Sequence, residues 1–151
     1  MKSKQVLSIE QMKHLQDLGL DTSDASMVLI AIDDDSCPLD WETALEAMST
    51  HLYDVSFDLF DADSSYYDHS YRKDCGVFTL QDILDKLPHY LNPFPSKQIL
   101  FAWMIERDTI AYRNVENVDD CLKHFTDNSL IDAAYDMLCW LYENNYLPFK
   151  N

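Results

Sequence analysis

The residues whose spacing comes nearest to a chemical site are carboxylates. Asp61, Asp63 and Ser65 repeat the opening of a calcium-binding loop, where oxygen ligands alternate along the chain and a sixth-position glycine permits the sharp turn. Here the sixth position is Tyr66, and the twelfth, where a bidentate glutamate closes the shell, is Arg72. An EF-hand is excluded. Looser sites for a hard cation stay open at Asp33 and Asp35 beside Asp34, or at Asp61 and Asp63, because Ca²⁺ and Mg²⁺ accept clustered carboxylates; a solvated acidic loop is the plainer reading of both. Cys121-x-x-His124 has a spacing that zinc accepts, but no second close Cys or His pair accompanies it. It therefore reads as a partly buried helical turn. His14, His51, His69, His89 and His124 could act as bases, yet none lies in a context that pairs it with a nucleophile or an orienting group. No catalytic or cofactor-binding residue is assigned, and the expectation is a protein that is not an enzyme.

Glycine usage removes further chemistry. The chain has Gly19 and Gly76 only, so it holds neither a phosphate-cradling P-loop nor a dinucleotide fingerprint, each of which needs several close glycines. A GxSxG nucleophile elbow is ruled out on the same ground. Cys37, Cys75, Cys121 and Cys139 are scattered and read as free thiols rather than a disulfide framework.

Charge is the unusual feature. The formal net charge is -16 over 151 residues, and between Lys13 and Arg72 every Asp and Glu stands without a single Lys or Arg among them. A field of one sign repels nucleic acid and anionic membrane, and it steers a basic partner with strong salt dependence. Acidic residues that merely keep the protein soluble account for the same composition. The sharper reading is a protein-binding face in which Asp34, Asp61 and Asp63 alternate with Trp41, Tyr53, Tyr66, Tyr67 and Tyr71, since aromatic anchors beside charge are common in interfaces. The expected partner is a basic protein, with neither nucleic acid nor membrane.

The elements that must position these residues are legible in outline. Ser8 and Gln11 form a capping box ahead of Ile9, Met12, Leu15 and Leu18, with a stop at Gly19. Met27 to Ile32 is a short β-branched run, hence a buried strand. Asp40 caps a helix through Met48; Val55 to Leu59 alternates as a strand with one wet face. Residues 61–76 read as an exposed, acidic, tyrosine-rich loop. Thr79 and Asp82 cap a helix ending before Pro88, and Pro93 and Pro95 extend a loop. Ile99 to Glu106 and Thr109 to Val115 form a hairpin about Arg107-Asp108, and Asp119 to Phe125 a helical turn. The closing stretch from Ser129 to Tyr146 reads as a long buried helix started by a Ser129/Asp132 capping box. Grouped strands flanked by helices predict a single α+β domain over residues 1–151, with a small antiparallel sheet containing the hairpin and covered by helices. No apolar run is long enough to span a bilayer, and the expected location is cytoplasmic.

Three stretches, Leu7 to Gln11 leading to Asp24–Met27, Phe78 to Leu84, and Leu130 to Trp140, together resemble an uncharacterised family of small proteins common in gut Bacteroidetes and their phages or mobile elements. The resemblance implies a scaffold of caps and core positions, no established activity and no catalytic residue. The acidic region from Asp33 to Asp74 is longer than that resemblance implies. The sequence thus leads to a non-catalytic binding or immunity-type protein, with a DNA-mimic inhibitor and a small metal-dependent enzyme as the alternatives.

Overall fold

The computed structural model describes residues 4–66 and 72–147. Its first helix, α1 (Ile9–Asp17), starts where the sequence places it: the Ser8 hydroxyl accepts the Gln11 N–H at 3.1 Å, and Gln11 Oε1 accepts the Ser8 N–H at 2.9 Å. Gly19, at φ 97, turns the chain out of the helix in a conformation that other residues adopt only with strain. The chain then enters β1 (Met27–Ile32), the middle of the first sheet. One edge of β1 pairs antiparallel with β3 (Ser56–Asp61) along its whole length, from Met27 opposite Asp61 to Ile32 opposite Ser56. The other edge is shared. β2 (Pro38–Leu39) pairs at Ala31 and Ile32, and β4 (Gly76–Val77) pairs at Met27 and Val28. Between these two short partners the Leu29 carbonyl accepts the indole N–H of Trp41 at 3.0 Å. Trp41 opens α2 (Trp41–Thr50), whose N-cap Asp40 accepts the Thr43 N–H at 2.7 Å.

A short helix α3 (Arg72–Cys75) leads into β4, and Thr79 caps α4 (Leu80–Lys86) with Asp82 closing the box. The second sheet is an antiparallel meander of β5 (Tyr90–Phe94), β6 (Ile99–Glu106), β7 (Thr109–Asn114) and β8 (Asn117–Thr126) in that order. At the β6–β7 hairpin Arg107 takes φ 58, the left-handed geometry that two-residue hairpins demand and usually obtain from Gly or Asn. The register puts Leu91, Phe101, Tyr112 and Ile110 on one face, all buried. The final helix, α5 (Leu130–Glu143), packs against β7, β8 and α4. Met137, Leu138 and Leu141 are completely buried, each such side chain contributing roughly 1.5–3 kcal/mol. One buried cluster runs from Leu7 on the N-terminal arm to Leu147 beyond α5 and draws on both sheets, which makes the chain a single α+β domain.

Several expectations need correction. The antiparallel strands form two four-stranded sheets instead of one small one. Asp119 to Phe125 is strand, inside β8; register shifts at Tyr112/Arg113 and Arg113/Asn114 break the two-residue alternation that would have disclosed it. Pro93 lies in β5 instead of a loop, on an edge strand and at a register shift between Leu91 and Phe94, where a missing N–H is tolerated. The 61–76 loop is shorter than expected, since Ala62, Cys75 and Gly76 are buried and the last of these already belongs to β4. Ser129 is the N-cap of α5, yet its side chain makes no capping bond. Asp132 instead accepts from Lys4 and from Gln11, both at 2.8 Å, tying the N-terminal arm and α1 to α5.

Candidate functional site

Exposed acidic side chains are carried by α2, by the edge strand β3 and by the turns beside them. Glu42 and Glu46 lie one turn apart on the exposed side of α2, and Asp54, Asp58, Asp61 and Asp63 are exposed on and around β3. Apolar groups stand among them: Met48 is 44% exposed, Leu52 74%, and Tyr53 is half-buried. The ion pairs among the described residues are Lys4–Asp132, Lys86–Asp24 at 2.7 Å and Lys13–Glu42 at 4.0 Å. Among the described residues of α2, β3 and their turns, therefore, only Glu42 forms an ion pair. It does so at a distance and exposure that give the pair little strength.

The turn carrying Asp33, Asp34 and Asp35 is folded by its own first residue. Asp33 Oδ1 accepts the N–H groups of Asp35 and Cys37, each at 2.9 Å, while Ser36 takes φ 65. Asp34 and Asp35 point to solvent. At the other end of β1, Asp61, Asp63, Ser65 and Tyr66 line a depression of about 540 Å³ with Ser26. The β1–β3 register separates the two acidic turns by the length of a six-residue strand, about 17 Å. Asp33 and Asp35 are thus not brought to Asp61 and Asp63, and among the described residues no three His, Cys, Asp or Glu side chains gather as metal ligands.

Of the aromatic residues expected on this face, Tyr66 is 89% exposed, but Trp41 is only 6% exposed. Trp41 is a core residue held by its bond to Leu29, not a surface anchor. Tyr67 and Tyr71, together with Asp68 and His69, lie outside the described residues. Cys121 and His124 do meet, because the bulge in β8 sets them opposite Arg113 and Ala111 on one sheet face, with Sγ 4.0 Å from Nδ1. Among the described residues they are two groups without a third.

A groove that the sequence did not disclose runs between α1, β8 and α5. About 450 Å³ in volume, it is lined by His14, Lys123, Phe125, Tyr135, Asp136, Cys139, Trp140 and Glu143. The His14 and Tyr135 rings meet edge-on with centroids 6.2 Å apart, and Lys123 Nζ lies 5.1 Å from the Phe125 centroid. Burial pushes the Cys139 thiol up to about 11, with Glu143 and Asp136 adding to it, so this sulfur is protonated at neutral pH and is no nucleophile. Burial also raises the Asp136 carboxyl, reinforced by Asp127 and Asp132. Its spacing with Trp140 and Glu143 was readable from the sequence as one side of a helix. What faces that side was not.

The raised Asp136 carboxyl has a stability consequence. A carboxylate whose folded pKa lies above its unfolded value opposes folding once ionised, so the penalty is absent in acid and grows as pH rises through the folded value. Asp136→Asn is expected to raise the melting temperature at neutral pH by about 1–2 °C and to leave it unchanged near pH 3, as differential scanning calorimetry at the two pH values would read.

No family model matches this chain, and no curated protein or solved structure matches it. Among the described residues no helix is long and apolar enough to cross a membrane.

Proposed function

We propose that the protein acts by binding, without catalysis, and that its acidic layer docks a basic protein in the manner of an inhibitor or immunity protein. The observation that carries this reading is the layer on α2, β3 and their turns. Its carboxylates point outward and, Glu42 apart, meet no cation in an ion pair among the described residues, while Met48, Leu52 and Tyr66 stand exposed beside them. Unneutralised charge of one sign gives steering and orientation, and the exposed apolar groups give an anchor that survives screening. The gut-bacterial, mobile-element setting implied by the three resembling stretches belongs to the same proposal.

The test keeps the turn and the cap intact, since Asp33 folds its turn and Asp40 caps α2. A variant combining Asp34→Asn, Glu46→Gln, Asp54→Asn, Asp58→Asn, Asp63→Asn and Leu52→Ser is compared with wild type by affinity capture from host lysate. Circular dichroism verifies the fold of both. The expected result is one basic protein retained by wild type at about 0.05 M salt, lost at about 0.5 M, and not retained by the variant. Identical retained sets would remove the acidic layer from any role in binding.

A further inference from the structure

The groove beside α5 carries recognition chemistry of its own. Asp136, Trp140 and Glu143 follow one another at helical spacings of four and three, so the two carboxylates flank the indole within about 5–6 Å between neighbouring Cβ atoms. Neither carboxylate has a hydrogen-bond or ion-pair partner among the described residues. The lysine of the lining, Lys123, holds its ammonium 5.1 Å from the Phe125 ring centroid and forms no ion pair with either carboxylate. Tyr135 and Phe125 supply further ring surface, and the Cys139 side chain beneath is buried and uncharged at neutral pH.

Each class of occupant meets this lining differently. An anion is repelled by two carboxylates, and a neutral ring would desolvate them without compensation. A cation satisfies both carboxylates and also gains from the aromatic faces. Between the two biological cations, a guanidinium is planar, weakly hydrated and able to stack on an indole while donating to carboxylates on either side. A compact ammonium gains less from such a shallow aromatic wall.

We infer that the groove seats an arginine side chain of the basic partner, its guanidinium stacked on the side of Trp140 that lines the groove, away from the Tyr146 ring 5.2 Å from it, and paired with Asp136 and Glu143. This rests on the reading that the partner is a basic protein. The raised Asp136 carboxyl accords with it, because a half-buried carboxyl facing like charges gains when a cation arrives.

The test is a titration of ¹⁵N-labelled protein with a capped tetra-arginine peptide and, separately, its tetra-lysine counterpart, at about 0.15 M salt. The expected result is a saturable shift of the Trp140 indole N–H with the Asp136 and Glu143 amides, and binding of the arginine peptide about five-fold tighter. Trp140→Leu, which keeps every charge, and the Asp136→Asn/Glu143→Gln pair, which keeps every ring, should each weaken that binding by about five- to ten-fold. The multiple variant of the acidic layer should keep the Trp140 shift. A silent Trp140 with shifts confined to α2 and β3 overturns the groove while the acidic-layer reading stands. Equal affinity for both peptides with no loss in Trp140→Leu also overturns it. A protein that responds at neither place overturns both readings.

Discussion

Trp41→Ala is expected to lower the unfolding free energy by about 3–5 kcal/mol, and Trp41→Phe by about 1–3 kcal/mol. The two values separate two jobs of one side chain. Its ring, 6% exposed, fills space between α2 and β1, and truncation leaves a cavity with surrounding atoms unable to close it fully. Its N–H bonds the Leu29 carbonyl in the stretch of β1 where neither β2 nor β4 supplies a pairing residue, so the indole stands in for a missing strand. Phenylalanine keeps most of the ring and removes that donor. Urea titrations of the wild type and both variants, with equal slopes, read the difference as a shift in midpoint. If Trp41→Phe unfolds at the wild-type midpoint, the Leu29 carbonyl does not depend on the indole and β1 is held by its other neighbours.

Sequence chemistry that acts within a few residues proved readable. Capping boxes at Ser8/Gln11 and Thr79/Asp82, and the Asp40 cap, need only a side-chain oxygen and an N–H three positions on, and all three form. The same rule misled at Ser129, where the residues for a box are present but Lys4 and Gln11, distant in the chain, take the Asp132 carboxylate. β8 was hidden by its bulges and β5 by Pro93, since both spoil the alternation on which strand recognition depends. The exposed acids of α2 and β3 were legible from composition alone. Trp41 was not, because an apolar ring beside acidic residues looks the same in sequence whether it faces solvent or packs from a helix onto a strand. The α5 groove was least legible of all, for its lining comes from α1, β8 and α5, and only the packed fold brings His14, Phe125 and Trp140 together.

Met12→Leu, a swap that usually costs less than about 1.5 kcal/mol, is expected here to cost about 2–4 kcal/mol. Met12 and Phe78 are both fully buried, and the Phe78 N–H is directed at the Met12 sulfur at 3.3 Å. The Phe78 carbonyl meanwhile accepts the Leu7 N–H at 3.0 Å, so this one residue links the N-terminal arm, α1 and the start of α4. A thioether is a weak acceptor, and the bond itself contributes little. What counts is the alternative: leucine has no acceptor, and a backbone donor shut in the core without a partner costs about 1–3 kcal/mol beyond the change in packing. Met137 provides the control, being equally buried on α5, with no hydrogen bond to its sulfur among the described residues. Met137→Leu should therefore stay below about 1.5 kcal/mol. Denaturant titrations of both variants, with hydrogen exchange at the Phe78 amide, decide the matter: exchange should accelerate in Met12→Leu beyond the rate set by global unfolding. Equal losses in the two variants, with Phe78 exchange following global stability alone, would mean that the sulfur acts only as filling and that the Phe78 donor is satisfied in another way.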